Sequence, residues 1–204
     1  MEGRIPDCTG ALLAGGQATR LGGLAKGLLR LEGEPIAARS LRLFGGIFEA
    51  SLVVANDPAR YAALGAPVVG DAIPDKGAPG GIHAALAAAR TGWVFAAACD
   101  MPFLSGGAIR FLWSLRGGAP AVAVHWGGRV EGLFAFWSRA SLPAVERLLR
   151  KGDPSLWRLA TEVGATVVPE ATWRTFDPDG RTFANANAPE DLQRLGLLPP
   201  TTEG

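Results

Sequence analysis

Residues 11–27 read A-L-L-A-G-G-Q-A-T-R-L-G-G-L-A-K-G. An apolar run ends here in Gly15 and Gly16, and a glycine-broken loop then carries Arg20 and Lys26. Paired glycines after a strand let the backbone approach a ligand without a Cβ in the way, and they leave successive N–H groups facing anionic oxygens. We therefore interpret this stretch as a nucleotide-binding loop.

Two commoner nucleotide motifs do not fit the loop. Lys26 is followed by Gly27, whereas the P-loop needs Ser or Thr after its lysine. Residues 15–18 read G-G-Q-A, which does not give the G-x-G-x-x-G of dinucleotide-binding folds. The loop therefore belongs to a less common class.

Outward from the loop, short apolar runs alternate with segments of helical pattern. This alternation predicts a parallel sheet with right-handed crossovers and helices on both faces. We predict a three-layer α/β/α sandwich with a Rossmann-like, mostly parallel sheet. The expected strands are 10–14, 26–33, 50–55, 67–69, 93–99, 121–126, 133–137 and 166–168, with 173–176 as a further candidate. The expected helices begin at residues 35, 58, 82, 105, 141, 155 and 189, and 73–81 is expected to be a loop because of its Pro and Gly content.

A glycine and three polar residues follow four of the expected strands. Gly15, Asn56 and Asp100 come directly after an apolar run, and Asp71 follows one after Gly70. Ligands of open α/β sheets bind outside the carboxyl ends of the strands, so we expect these four residues to meet in one crevice. Asp100 offers a hard oxygen ligand for Mg²⁺, which one or two carboxylates and substrate phosphates usually hold.

Composition narrows the function classes. The 204 residues suit one domain, and the contents of 48% hydrophobic and 19% charged residues are those of a globular protein. The net charge of +1 argues against a nucleic-acid or membrane-surface role. No apolar run approaches the ~20 residues of a membrane span, and we expect a cytoplasmic protein. Cys8 and Cys99 lack metal-ligand spacing and are expected to be buried thiols.

The motif L-A-G-G at 13–16, T-R-L-G-G at 19–23 and Lys26 resembles the signature of nucleotidyltransferases with a glycosyltransferase-A-like fold. The six-residue step from Arg20 to Lys26 is similar to that of the molybdenum cofactor guanylyltransferases. A second stretch, F-A-N-A-N-A-P-E-D-L at 183–192, resembles that family's F-x-N-x-N-x-P-E-D-L. The resemblance spans roughly residues 10–195.

The resemblance implies a single nucleotidyltransferase domain over 1–204. Residues of about 9–100 would bind nucleotide, about 101–196 would bind the acceptor, and 197–204 would form a flexible tail. It implies transfer of GMP from GTP, with Mg²⁺, to molybdopterin or its molybdenum form. Other cofactor-biosynthesis proteins and acceptor apoenzymes would be further partners, and nucleic acid and membrane would not.

The resemblance also assigns roles to single residues. Lys26, Arg20 and Asp100 would be catalytic, with Asp100 as the metal ligand, and Asn185 and Asn187 would serve the acceptor. Lys and Arg suit this chemistry because negative charge grows on the departing pyrophosphate. The GTP-binding residues would be Leu13, Ala14, Gly15, Gly16, Lys26, Asn56, Asp71 and Asp100.

The chain departs from the family pattern at several positions. Ala25 stands where the family usually has Asp, and 130–133, V-E-G-L, stands where relatives tend to carry a proline. Two alternatives therefore stay open. One is a cytidylyltransferase or a guanylyltransferase acting on another phosphorylated small molecule. The other is a non-catalytic GTP-binding regulator, which would bind nucleotide without forming pyrophosphate.

Overall fold

A computed structural model of the protein describes residues 3–15, 24–152 and 154–200. A seven-stranded sheet has the order β5-β4-β1-β6-β8-β7-β9, and a second sheet has the order β10-β2-β3. The strands are β1 (Cys8–Leu13), β2 (Arg30–Leu31), β3 (Glu34–Pro35), β4 (Ala50–Val54), β5 (Val68–Val69), β6 (Trp93–Ala98), β7 (Ala121–Trp126), β8 (Arg129–Ser138), β9 (Thr166–Val168) and β10 (Leu197–Leu198).

Helices cover both faces of the large sheet, so the predicted three-layer α/β fold is confirmed. The α-helices are α1 (Ile36–Ile47), α2 (Gly77–Ala88), α3 (Gly106–Ser114), α4 (Leu142–Lys151), α5 (Leu156–Val163), α6 (Glu170–Trp173) and α7 (Pro189–Leu195). Short 3-10 helices are Lys26–Leu28, Pro58–Leu64, Arg139–Ser141 and Arg181–Phe183. Within the described part of the chain, no helix combines the length and apolar character needed to cross a membrane.

The core lies on the two faces of the large sheet. On one face α1 and α3 pack Phe44 and Ile109 against Phe95, Phe134 and Phe136 of the strands. On the other face α2, α4 and α5 cover the smaller side chains of β1 and β6. The central strand β6 is almost fully buried because both of its faces are covered, which explains its uninterrupted apolar sequence.

The sheet is mostly parallel, as predicted. Strand β1 pairs in parallel with both β4 and β6, and β5 pairs in parallel with β4. Strand β8 is the exception, because it runs antiparallel to both β6 and β7. Strands β7 and β8 form a hairpin whose turn contains Gly127 and Gly128, both of which have positive φ.

The second sheet corrects the prediction of a flexible tail from residue 197. Leu197 pairs with Leu31 of β2, and its side chain is buried in a third apolar cluster. Leu29, Ile36 and Leu195 belong to the same cluster. The apolar side chain of Leu197 thus fastens the C-terminal segment to the segment that follows Lys26.

Helix α2 corrects the prediction of a loop over 73–81. The helix begins at Gly77, so its first turn contains Pro79. Proline is tolerated there because the first N–H groups of a helix have no partner within the helix. Gly81 also has a packing role, since a Cβ at this position would lie 2.7 Å from Leu13 Cδ2. Tertiary contact therefore outweighs the low helix propensity of this segment.

Two smaller predictions are also wrong. Residues 173–176 do not form a strand, because Trp173 ends the short helix α6 and is fully buried in the aromatic cluster. The expected strand over 26–33 is a 3-10 turn at Lys26–Leu28 followed by the two-residue strand β2. The short apolar run here packs under the second sheet and not within the large one.

Candidate active site

The register of the large sheet aligns the four strand-end positions that the sequence predicts to meet. Leu13 of β1 pairs with Val54 of β4 and with Ala98 of β6, and Val54 pairs with Val69 of β5. Residues two positions beyond this row are Gly15, Asn56, Asp71 and Asp100. The parallel register therefore brings all four to one edge of the sheet.

A cavity of about 850 Å³ opens at this edge. Its volume lies in the range of small-molecule sites. The N-terminal end of α2 contributes to its wall, and a helix N-terminus favours negative charge. Six of the predicted nucleotide-binding residues line it, namely Leu13, Ala14, Gly15, Lys26, Asn56 and Asp71.

Asn56 and Asp71 are joined across the edge of the sheet. Asn56 Nδ2 donates to Asp71 Oδ2 at 3.0 Å, and the Asp71 backbone N–H donates to Asn56 Oδ1 at 2.9 Å. The two side chains fix each other's orientation. The carboxylate and the amide have further hydrogen-bond positions, which can bind a polar ligand such as a ribose or a base.

Lys26 lies where the two halves of the chain meet. Its Nζ donates to Asp100 Oδ2 at 3.0 Å and to Asn187 Oδ1 at 2.6 Å. Lys26 and Asp100 are largely buried, with 22% and 13% of their side chains exposed. The second contact joins residues 161 positions apart in the sequence. The glycine loop and the C-terminal asparagine motif therefore meet at one ammonium group.

Gly27 explains how Lys26 comes so close to the end of β6. A Cβ on Gly27 would lie 3.1 Å from the Cβ of Cys99 and 3.3 Å from Tyr61 Cε1. Such spacing is tighter than ordinary van der Waals contact, so a side chain here would push the turn away. The absence of a Cβ at Gly27 thus positions Lys26 beside Asp100.

The asparagine motif is held by the start of α7. Asp191 Oδ2 accepts hydrogen bonds from the backbone N–H groups of Asn187 and Ala188, at 2.8 and 3.0 Å. Asn187 Nδ2 donates to Asn185 Oδ1 at 2.7 Å. Ala188 is the N-cap residue of α7, so Asn187 does not cap this helix. The amide of Asn187 is directed to Lys26 instead.

A second cavity of about 310 Å³ adjoins the first. Asp100 and Asn185 line this smaller cavity, and Lys26 lines both. The single crevice expected from the strand ends is therefore two adjacent cavities with Lys26 between them. Gly15 and Leu133 also reach both.

The residues present suit a divalent cation held in part by substrate. Within the described ranges, no group of three His, Cys, Asp or Glu side chains could hold a metal alone. Asp100 supplies one carboxylate to the lining of the smaller cavity. Mg²⁺ commonly takes one or two carboxylates together with phosphate oxygens and water, so this donor set fits it.

Cys99 lies at the same strand end but has the properties of a structural thiol. Burial, with a smaller contribution from the carboxylate of Asp100, raises its pKa to about 12, and Lys26 opposes the rise. Burial also raises the pKa of Tyr61 well above its ordinary range. Both groups therefore stay protonated near neutral pH, and both line the larger cavity.

Several residues that line the cavities were not predicted as site residues from the sequence. Tyr61 and Arg60 line the large cavity from the 3-10 helix, and Asp75 lines it from the loop before α2. Glu131 lines the small one. Only Glu131 lay in a segment that the sequence singled out, as a departure from the family pattern. The predicted residues Gly16 and Arg20 lie outside the described residues.

Comparison with known families gives a match over most of the chain. Residues 10–167 match the family model of the MobA-like NTP transferase domain. The molybdenum cofactor guanylyltransferase of Syntrophotalea carbinolica is 34% identical over 185 residues, covering 90% of this chain and 88% of that protein. A molybdenum cofactor guanylyltransferase of Cereibacter sphaeroides is 37% identical over 193 residues, covering 93% and 95%.

The fold also matches a solved structure. The crystal structure of molybdopterin-guanine dinucleotide biosynthesis protein A from Archaeoglobus fulgidus superposes with a TM-score of 0.75 at 26% identity. The match covers 92% of this chain and 96% of that one. Both cavities lie mainly within the matched residues 10–167, and the asparagine motif follows them.

Proposed function

The chain belongs to the family of MobA-like NTP transferase domains, and we propose that it transfers GMP from GTP to the terminal phosphate of molybdopterin, with release of pyrophosphate. The names of the relatives support guanylyl transfer in molybdenum cofactor biosynthesis. The observation that carries the proposal for this chain is the position of Lys26, which joins Asp100 to Asn187 between two cavities.

The two cavities suit the two substrates. GTP would occupy the larger one, with its base near Gly15 and its nucleoside near the linked pair Asn56 and Asp71. Molybdopterin would occupy the smaller one, beside Asn185. Their phosphates would then meet at Lys26, which lines both cavities.

The reaction is an in-line displacement at phosphorus. An oxygen of the acceptor phosphate forms a bond to the α-phosphorus of GTP, and the bond from that phosphorus to the pyrophosphate oxygen breaks. The acceptor phosphate is already ionised at neutral pH, so no general base is required. Catalysis then depends on alignment and on stabilising the charge that grows on the pyrophosphate.

Lys26 provides that stabilisation in this proposal. An ammonium group has three N–H donors, and two of them point to Asp100 and Asn187. Phosphate oxygens would compete with these neutral and anionic acceptors for the same cation. Bound Mg²⁺, held by Asp100 and phosphate oxygens, would add further neutralisation of charge. In this proposal Arg20 would also stabilise the negative charge on the pyrophosphate.

A pyrophosphate-release assay tests the proposal. The purified protein is incubated with GTP, molybdopterin and Mg²⁺, and pyrophosphate and the guanine dinucleotide product are measured. Omission of either substrate should abolish both products, and CTP, ATP and UTP should replace GTP poorly. A cytidylyltransferase would prefer CTP, and a binding module would show GTP affinity by thermal shift without pyrophosphate. Either result would overturn the proposal.

We further propose that Mg²⁺ is the metal and that cofactor-biosynthesis proteins and acceptor apoenzymes are the protein's partners. The donor set at Asp100 supports the first part, because oxygen ligands suit a hard cation. Activity that returns with Mg²⁺ but not with Ca²⁺, after the metal has been removed by a chelator, would support Mg²⁺ as the metal.

Co-purification with an apoenzyme that accepts the product would test the proposed protein partners.

A further inference from the structure

Glu131 owes its position to an irregularity in the sheet. On the β7–β8 hairpin, Val122 pairs with Phe136 and Val124 pairs with Glu131. Residues 132–135 of β8 therefore stand opposite the single residue Ala123. Such bulges bend a strand and redirect a side chain, often beside an active site. The bulge brings Glu131 into the lining of the smaller cavity.

Glu131 adds a second carboxylate, besides that of Asp100, to the lining of the smaller cavity. Only 15% of the Glu131 side chain is exposed, and apolar side chains form much of the surrounding wall. Arg129 Nε donates to Glu131 Oε1 at 2.7 Å, while the Arg129 side chain is 66% exposed. A carboxylate has about four acceptor positions, so this one contact uses only part of its capacity. The apolar lining includes Met101, Val130, Leu133, Leu156 and Phe183.

We propose that Glu131 binds the 2-amino-4-oxo edge of the acceptor's pterin ring. That edge presents the ring N3–H and the exocyclic amine side by side, and a carboxylate can accept from both, as it does from the paired donors of arginine. The apolar wall would cover the flat faces of the ring. Glu131 is thus a specificity-determining residue for the acceptor, and this inference rests on the proposed function.

Guanine has a similar pair of donors and could also bind a carboxylate. The position of Glu131 indicates which of the two rings, pterin or guanine, it binds. Glu131 lines the smaller cavity, and it does not line the larger one that Asn56 and Asp71 border. Asn185 and Asp100 line the smaller cavity with it. A pterin bound at Glu131 could therefore direct its phosphate toward Lys26, while guanine stays on the other side of Lys26.

The test is steady-state kinetics of Glu131→Gln with GTP and molybdopterin. Glutamine has the same shape as glutamate, but an NH₂ group replaces one acceptor oxygen. This NH₂ donor would face an N–H donor of the pterin, so one hydrogen bond would be lost. We expect KM for molybdopterin to rise roughly 10- to 100-fold, the scale of a lost charge-assisted hydrogen bond. KM for GTP and kcat should stay near wild type, because the lost contact is with the acceptor in both the ground and transition states.

Two further variants make the test specific. Glu34→Gln is the matched control, because Glu34 also pairs with an arginine, Arg42, at 2.7 Å, and lines neither cavity. It should leave both KM values unchanged. Glu131→Asp keeps the charge but withdraws the carboxylate by one methylene, so it should raise KM for molybdopterin even if the glutamine variant folds poorly.

The outcomes separate this inference from the proposed function. Pyrophosphate release by the wild type establishes the function, whatever Glu131 does. An unchanged KM for molybdopterin in both folded Glu131 variants would overturn the inference alone. A rise in KM for GTP without one for molybdopterin would mean that Glu131 binds guanine, which also overturns it. Failure of the wild type to use molybdopterin would overturn both.

Discussion

Lys26 is bound by a carboxylate and an amide oxygen, and each comes from a different part of the sequence. Asp100 neutralises its charge at 3.0 Å, and Asn187 fixes its direction at 2.6 Å. A compact ammonium group suits this position because its donors can rotate between acceptors. Its role in the proposed transfer leads to a mutational prediction.

Lys26→Ala should lower kcat about 10²-fold or more, since a single contact to developing charge is worth about 3 kcal/mol. Lys26→Arg should restore little of this loss, because a planar guanidinium cannot occupy the space between Asp100 and Asn187 in the same way. Single-turnover kinetics with saturating GTP would measure both. Lys151→Ala, at the exposed end of α4, is the control and should behave as wild type. Full activity of Lys26→Arg would contradict the phosphate role.

Gly15 bears on the choice of base. Among the described residues, no atom lies within 4 Å of a Cβ added at Gly15, and the φ of Gly15 is not in the left-handed region. Gly15→Ala should therefore leave the stability of the protein almost unchanged. The methyl group would instead project toward the nucleotide in the large cavity.

We predict that Gly15→Ala weakens use of GTP by roughly 1 to 3 kcal/mol, the scale of a steric penalty in a fitted pocket. CTP, with its smaller base, should lose less, so the ratio of kcat/KM for GTP to that for CTP should fall. Measurement of kcat/KM for GTP and for CTP, on the wild type and on Gly15→Ala, tests this prediction. Equal losses for GTP and CTP would show that Gly15 does not read the base.

At the scale of elements, the segment between the last 3-10 helix and α7 carries Asn185 and Asn187 to the site. The segment is fixed at two places. Ala186 is fully buried in the third apolar cluster, and its backbone N–H donates to the carbonyl of Asp100 at 3.3 Å. The flanking Asn185 lines the smaller cavity, and the flanking Asn187 accepts a hydrogen bond from Lys26.

This geometry divides the expected roles of the two asparagines. Asn185→Ala should raise KM for molybdopterin and leave GTP affinity unchanged, because Asn185 lines only the smaller cavity. Asn187→Ala should also lower kcat, because it removes a hydrogen bond to Lys26. Thermal shifts with GTP and initial rates with varied molybdopterin separate these effects. A loss of GTP affinity in Asn185→Ala would contradict the assignment of cavities.

For the whole molecule, burial of ionisable groups sets the response to alkaline pH. Burial raises the pKa of Cys99 from 9.0 to about 12, and it raises the pKa values of Cys8 and Tyr61 as well. Above pH 9 the unfolded chain releases the thiol protons and the folded chain keeps them. Unfolding therefore releases protons, and the free energy of unfolding falls as the pH rises.

We predict that stability is constant with respect to these groups below pH 9 and declines from pH 9 toward 12. Each fully titrating group adds a slope of about 1.4 kcal/mol per pH unit. Urea unfolding at pH 7.5, 9.0 and 10.5 would measure the decline, and Cys99→Ala should reduce its slope whatever the variant's stability at pH 7.5. A free energy of unfolding that stays level from pH 9.0 to 10.5 would contradict the buried, neutral thiols.

The sequence alone was sufficient for the large sheet and its polar edge. Strands such as β6 are continuous apolar runs, and the residue that breaks each run is the residue at its carboxyl end. Parallel register then places Gly15, Asn56, Asp71 and Asp100 together, because crossover connections align the same ends of successive strands. The family resemblance was likewise visible in short motifs, which local sequence can carry.

The tertiary structure decided what depends on contacts distant in sequence. Helix α2 begins at Gly77 although propensity alone favours a loop there, and within the helix Gly81 leaves space for the side chain of Leu13. The pairing of Leu197 with Leu31 orders a segment that composition marks as a tail. The same cluster brings Asn187 to Lys26, and the bulge in β8 brings Glu131 to the smaller cavity. These features depend on burial between separate segments, which the local pattern of residues does not record.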